Sequence, residues 1–321
     1  MIDILYFLPF SIAFLIVYIT TPLLRIFAIK IGFVDVPTER KIHKAPVPHL
    51  ASIGIFAGFI ITFIIYSGEF SKRTIGILIG SILVLGIGIV DDWYKTHAMD
   101  FPAMPKFLIQ VMAAIVVYFS GIVFTGFTNP FTQQYVDLGL LPWLQFFLTV
   151  TWIFGVTTVI NFSDGLDGLA GSLSAISSGT LFVVALAKGQ TKSALMAIIL
   201  VGVSLAYLRY NKPPAKIYMG DAGAGFMGFI LAIIALDGAF KQTTVLSIFV
   251  PILALGVPIF DNLFVVFRRF LQGKPFYKAD RSQAHYRLIS AGMNPKHTVW
   301  FLCLINACLC LTSIIMVLLK V

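Results

Sequence analysis

Six carboxylates stand at or inside long apolar runs, where side chains of this type are rare. Asp91 and Asp92 close one run. Asp164 and Asp167 follow another, in Asn161-Phe-Ser-Asp164-Gly165-Leu-Asp167-Gly168. Asp221 opens a third, in Met219-Gly-Asp221-Ala-Gly223, and Asp261 lies inside a fourth. An ionisable group at membrane depth costs several kcal/mol and marks a functional site by default. Carboxylates brought to one depth by separate helix ends can hold a cation through oxygen ligands. Magnesium takes a few such oxygens together with substrate phosphates. An adjacent Asp–Asp pair also suits proton transfer, because like charges raise the affinity of one member for its proton. Lys44, Lys95, Lys106, Lys216, Arg281 and Arg287 accompany the acids. A metal with Lys or Arg is the apparatus that stabilises charge in phosphoryl transfer.

The elements that must position these groups are membrane helices. Of 321 residues, 59% are hydrophobic and 12% charged, too apolar for a soluble domain. Ten runs reach membrane-spanning length, at 3–24, 49–67, 74–90, 106–124, 143–160, 169–187, 192–208, 223–240, 244–267 and 298–319. Lipid offers backbone groups no partner, and the runs lack the short alternation of a barrel, so an all-α polytopic fold of about ten transmembrane helices is expected. The first run is read as a retained helix, not a signal peptide. Pro251 and Pro258 predict a broken ninth helix. The chain is read as one transmembrane domain over 1–321.

Charge sets the expected orientation. With ten spans, the loops 25–48, 91–106, 209–216 and 268–297 share one side and hold seventeen Lys/Arg, against six elsewhere. The positive-inside rule then puts both termini outside and the rich loops in the cytoplasm. Five of the six acids fall on that cytoplasmic face, and Asp261 lies toward it. The net charge of +9 suits phosphate-bearing substrates and anionic headgroups. Nucleic acid is not an expected partner, since no binding motif is visible and the basic residues interleave with acids. Cys303, Cys308 and Cys310 share the last run and are read as packing residues. His43, His49, His97 and His297 are read as ordinary loop residues. Residues 125–142 are expected to form a short hairpin or surface turn, and Asp280–Ser290 a short helix closed by Gly292.

In order along the chain, Asp91-Asp92-x-x-Lys95, Asn161-x-x-Asp164-Gly-Leu-Asp167-Gly-Leu, Asn211-x-x-Pro-Ala-Lys-Ile-Tyr-Met-Gly-Asp221-Ala-Gly, Pro258-Ile-Phe-Asp261 and Asp280-Arg-Ser-x-x-His285-x-Arg287-Leu resemble the polyprenyl-phosphate N-acetylhexosamine-1-phosphate transferases. The resemblance covers about residues 20–295. It implies a ten-to-eleven-helix fold and transfer of a sugar-1-phosphate from a UDP-sugar to a polyprenyl phosphate, with release of UMP. Magnesium is the implied cofactor, with manganese as a substitute. Asp221 is implied to bind the metal with Asn161 or Asp164 near it, Asp167 to contact uracil, and Asn211 to lie on the nucleotide side. Lys44, Lys95 and Lys106 match lysines near the phosphates, and His285 and Arg287 a loop that grips the diphosphate. Asp91 or Asp92 matches the base that deprotonates the lipid phosphate; a covalent nucleophile is the alternative. In this family the broken ninth helix leaves a groove for the lipid tail.

The chain departs from the family pattern twice. The usual His-x-His-His-Arg is here Gln283-Ala284-His285-Tyr286-Arg287, and the usual Pro-x-Gly-Gly is Pro48-His49-Leu50-Ala51-Ser52. The Asp280-Arg-Ser ending is more similar to the branch that uses UDP-GlcNAc and undecaprenyl phosphate at the inner membrane, with a homodimer as a compatible assembly. The peptidoglycan branch, which carries UDP-N-acetylmuramoyl-pentapeptide, is the alternative within the family. A cation-coupled transporter or lipid flippase is the alternative from another class, but it predicts acids at the bilayer midplane and an internal repeat. The CDP-alcohol phosphotransferase signature is absent.

Overall fold

The computed structural model describes residues 2–35, 46–68, 70–128, 132, 134–239, 249–273 and 282–319. Lys44, Asp280 and Arg281 lie outside the described residues. The described chain is nearly all helix: α1 (Ile2–Lys30), α2 (Ala51–Ser67), α3 (Lys72–Thr96), α4 (Ala103–Phe119), α5 (Pro142–Phe162), α6 (Leu169–Ala187), α7 (Thr191–Asn211), α8 (Gly220–Ile234, continued by a π turn at Ala235–Ala239), α9 (Phe249–Ala254), α10 (Gly256–Leu271), α11 (Ala284–Ser290) and α12 (Pro295–Leu318). Two short antiparallel ribbons complete it. β1 (Val34–Asp35) pairs with β2 (Val47–Pro48), and β3 (Gly126–Thr128) with β4 (Tyr135–Asp137). The second ribbon is the hairpin expected within 125–142.

Each of the ten apolar runs carries a helix. Among the described residues seven helices are long and apolar enough to cross a membrane; α2 and α4 are shorter apolar helices. Some ends differ from the apolar runs. The sequence run stops at residue 90, whereas α3 continues to Thr96 with His97 closing it. Asp91, Asp92 and Lys95 therefore stand on the last two turns of a helix and not in a loop. A helix is held by backbone hydrogen bonds, which continue past the point where its surface becomes polar.

The interior is built around α8. Its span is 94% buried, and α2, α3, α5, α6 and α7 pack around it. Small residues permit this. A β-carbon on Gly88 of α3 would collide with the Ala222 backbone of α8, and one on Gly228 would crowd the Thr157 backbone of α5. In lipid, where apolar contact gives little net drive, such close approach is what holds helices together. By contrast α1 and α12 keep most of their large apolar side chains exposed, as a lipid-facing rim would.

The expected break lies at Leu255, between α9 and α10. Pro258 has no N–H for the Ala254 carbonyl. That carbonyl instead accepts from Cys310 Sγ at 3.4 Å. Asn306 Oδ1 takes the Val257 N–H at 3.2 Å, and Ser313 Oγ donates to the Val250 carbonyl at 3.0 Å. Asn306 and Cys310 of α12 thus satisfy backbone groups that the kink leaves open, and Ser313 ties the turn before it to α12. Cys310 is packed, as expected, and also serves this hydrogen bond.

Candidate active site

The site forms where α3, α4, α5 and α8 end on one side of the bundle. Asp221, in the first turn of α8, is its centre. Lys95 of α3 is ion-paired to Asp221 Oδ1, and Lys106 of α4 to Oδ2. Lys106 also reaches Asp91 Oδ2 at 2.6 Å, and Lys95 stands 3.7 Å from the same oxygen. Asn161, at the end of α5, donates from Nδ2 to the Asp221 carbonyl at 3.1 Å. Asp92 accepts the Asp221 and Ala222 amides, at 2.8 and 3.1 Å.

A cavity of about 880 Å³ opens beside this cluster. Asp164, Lys95 and Asp221 line it together with Asp167, Asn211 and Tyr218. Asp167 and Asn211 also shape its wall. Asp167 Oδ2 accepts the Ala215 amide at 2.9 Å, while Asn211 Oδ1 accepts the Gly168 amide at 2.8 Å and its Nδ2 donates to the Ile217 carbonyl at 3.1 Å. The turn 164–168 is thereby locked to the loop 212–218. Asp164 sits in that turn, and burial, with the negative charge of Asp221 next in weight, pushes its carboxyl up to about 7.

Two residues of the last loop lie elsewhere. His285 is 1% exposed. Its Nε2 packs against Gly165 so closely that a β-carbon there would collide with it. Burial lowers its pKa to about 4, so at neutral pH it is an uncharged imidazole. Arg287 pairs with Asp261 at 3.2 Å and stacks its guanidinium on Phe264 at 4.2 Å from the ring centre. Tyr286 of the same short helix lines the cavity, as do Asn294, Pro295 and Lys296 further along the chain. Asp261 is bound to Arg287 and to the Ala284 amide. The short helix expected from Asp280 begins at Ala284, and the acceptor at its first amide is Asp261.

The sequence reading missed three contributors. His49 is buried, with Nε2 3.7 Å from Asp35 and Nδ1 3.9 Å from Asp92, and it meets Tyr218 edge-on at 5.5 Å. Asp35, His49 and Tyr218 all line the cavity. The available signal was position: His49 opens the apolar run 49–67 on the side that gathers the acids.

The charge balance says what the cluster can hold. Among the described residues, the lysines that meet the cluster Asp91, Asp92, Asp164 and Asp221 are Lys95 and Lys106, with the His49 imidazole beside Asp92. Ionised together, the four would carry two uncompensated negative charges in a largely desolvated place, which a divalent cation would relieve. Among the described residues no three His, Cys, Asp or Glu side chains form a metal cage. Magnesium needs no such cage, because it takes one or two carboxylates and completes its shell with water and phosphate oxygens. The donor set therefore fits, with Asp221 first, Asn161 hydrogen-bonded to its carbonyl and Asp164 lining the same cavity.

The model for glycosyl transferase family 4 matches residues 74–239, the stretch that carries Asp91 through Asp221. A probable undecaprenyl-phosphate N-acetylglucosaminyl 1-phosphate transferase of Bacillus subtilis is 37% identical over 96% of this chain and 84% of its own length. The chain belongs to glycosyl transferase family 4. Two further relatives match at lower identity. A phospho-N-acetylmuramoyl-pentapeptide-transferase of Listeria welshimeri is 33% identical over 71% of this chain and 73% of its own. A decaprenyl-phosphate N-acetylglucosaminephosphotransferase of Mycobacterium tuberculosis is 27% identical over 89% and 76%. As a family 4 member with seven helices of membrane-crossing length among the described residues, this chain is a multi-pass membrane phosphotransferase.

Proposed function

We propose that this protein transfers N-acetylglucosamine-1-phosphate from UDP-GlcNAc to undecaprenyl phosphate, releasing UMP, as the first membrane step of a cell-surface glycan. The observation that carries this reading is the meeting of Asp221 with Lys95, Lys106 and Asp91 beside the cavity, in a chain whose full-length similarity is to a transferase of that name. The chain acts as one transferase domain that crosses the inner membrane ten times with both termini outside. The seventeen Lys/Arg of one set of loops support a cytoplasmic site.

In this mechanism the sugar nucleotide enters the cavity with its diphosphate toward Asp221. Magnesium, held by Asp221 with Asn161 and Asp164 close by, would neutralise charge on the diphosphate oxygens. Lys95 and Lys106, which pair with carboxylates in this state, turn to the phosphates when substrate arrives. Asp167 and Asn211 fix the wall against which the nucleoside rests. Lys44, assigned to the phosphates by family resemblance, completes the set of lysines. Asp91 or Asp92 accepts the proton of the lipid phosphate. Its oxygen attacks the β-phosphorus, and the bond from that phosphorus to the bridging oxygen breaks. UMP leaves with the bonding pair on that oxygen.

The test is enzyme in a bilayer with magnesium, undecaprenyl phosphate and a panel of UDP-sugars, followed by UMP release. UDP-GlcNAc is the expected donor. Release from UDP-N-acetylmuramoyl-pentapeptide alone would move the chain to the branch of its Listeria relative. No UMP from any sugar would refute the reading.

A further inference from the structure

The adjacent carboxylates Asp91 and Asp92 do different things. The first amides of a helix have no partner within it, and Met219, just before α8, provides no side-chain cap. The acceptors come from another helix: Asp92 Oδ1 takes the Asp221 amide and Oδ2 the Ala222 amide. Both oxygens of Asp92 are thus occupied, and the residue is 1% exposed. Gly220 makes room for it. Its backbone is in the left-handed region at φ 63°, and a β-carbon there would collide with the Asp92 carboxylate. The contact of Gly88 with Ala222, one turn earlier on α3, brings the two helices close enough for this cap.

Behind Asp92 stands His49, with Asp35 on the far side of its ring. His49 is itself fixed, because its amide donates to the Phe33 carbonyl and its neighbours bracket Tyr218: Tyr218 N–H donates to Pro48 O and Ala51 N–H to Tyr218 O. Asp91, about 100° further round α3, faces Lys95 and Lys106 instead.

We propose that Asp92 is a positioning residue that fixes the N-terminus of α8 and with it the Asp221 carboxylate, and that His49 and Asp35 brace Asp92. The inference rests on the magnesium-transferase reading above. In Asp92→Asn one oxygen still accepts an amide, but the new NH2 opposes the other. The metal site should loosen while the reacting groups stay in place. Changes to groups that orient a metal ligand typically cost about 10–100-fold in metal affinity.

The experiment titrates Mn2+ into bilayer-embedded enzyme with UDP-GlcNAc bound, reading bound metal by electron paramagnetic resonance and, separately, turnover against Mg2+. Asp92→Asn is expected to bind Mn2+ roughly tenfold more weakly and to regain turnover as Mg2+ is raised. His49→Phe should move the same way by a smaller factor. Wild-type Mn2+ binding in Asp92→Asn, with turnover lost at all Mg2+, would put Asp92 in the chemical step and overturn the inference. If Asp92→Asn does not fold, His49→Phe decides: wild-type metal dependence there overturns it equally. Wild-type turnover without any divalent cation would remove the magnesium reading and this inference together, and it is seen before any variant is made.

Discussion

Asp261 of α10 receives the amide proton of Ala284 between its two carboxylate oxygens, at 2.8 and 2.9 Å. One residue inside a broken apolar helix thereby anchors the start of α11, and its pairing with Arg287 one turn later holds the same loop at a second point. The anchor explains why a carboxylate is kept there. It fixes the segment that carries Tyr286 into the cavity wall and His285 behind Gly165.

Cutting that anchor should impair substrate binding more than chemistry. Loss of a buried hydrogen-bond acceptor costs about 1–3 kcal/mol. Asp261→Ala is expected to raise the KM for the sugar nucleotide roughly tenfold with a smaller fall in kcat, and Asp261→Asn to be intermediate. Steady-state UMP release checks this. An unchanged KM would show that the loop is not held by Asp261 when substrate binds.

Lys106 touches both Asp91 and Asp221. Removing one partner of a buried charge pair costs about 2–5 kcal/mol. Lys106→Met should therefore lose roughly 100-fold or more in kcat/KM. Lys95→Met, which leaves Asp91 its closer lysine, should lose less. Chelation of divalent cations should stop turnover in the wild type and added Mg2+ restore it. Equal activity of Lys106→Met and wild type would remove Lys106 from the site.

Gly165 and His285 occupy one space. Gly165→Ala puts a β-carbon where Nε2 sits, and overpacking of this kind costs about 1–3 kcal/mol. The variant should lose most activity and several degrees of thermal stability. Gly165→Ala combined with His285→Ala should regain the stability, because the added methyl then has room. No recovery of the melting temperature in the double variant would refute the packing account.

The Asp164 carboxyl gives a pH prediction without metal. Its ordinary value of 3.8 is raised to about 7 by burial and by Asp221. Between those values the folded protein holds a proton that the unfolded chain has lost, so this group makes stability fall as pH rises from about 4 to about 7. Asp164→Asn should flatten that decline and melt higher than wild type at pH 8 in chelator. His285 acts in the opposite sense. Its value is lowered to about 4, so below about pH 6.5 the unfolded chain binds a proton the folded one refuses, and stability falls as pH drops. His285→Gln should reduce the acid-side loss. Thermal melts across pH 4–8 read both effects.

Much of this protein is written locally. Apolar runs long enough to cross lipid became helices, because lipid leaves backbone groups no other partner. Glycine after Asp164 and Asp167 marked a tight turn, and Pro258 marked the break before α10. The grouping of Asp91, Lys95, Lys106, Asn161, Asp164 and Asp221 was legible as well, since each stands at an end of an apolar run and alternation of the runs sends those ends to one side. The tertiary structure decided what residue type and spacing do not carry. Asp91 and Asp92 are neighbours in sequence, yet a helix turns successive side chains about 100° apart, so one meets lysines and the other caps α8. His49 is an ordinary loop residue until β1, β2 and Tyr218 enclose it. Asp261 finds its partners 23 and 26 residues further along the chain. Which carboxylate binds, which braces and which anchors depends on contacts between distant segments, and those exist only once the helices have packed.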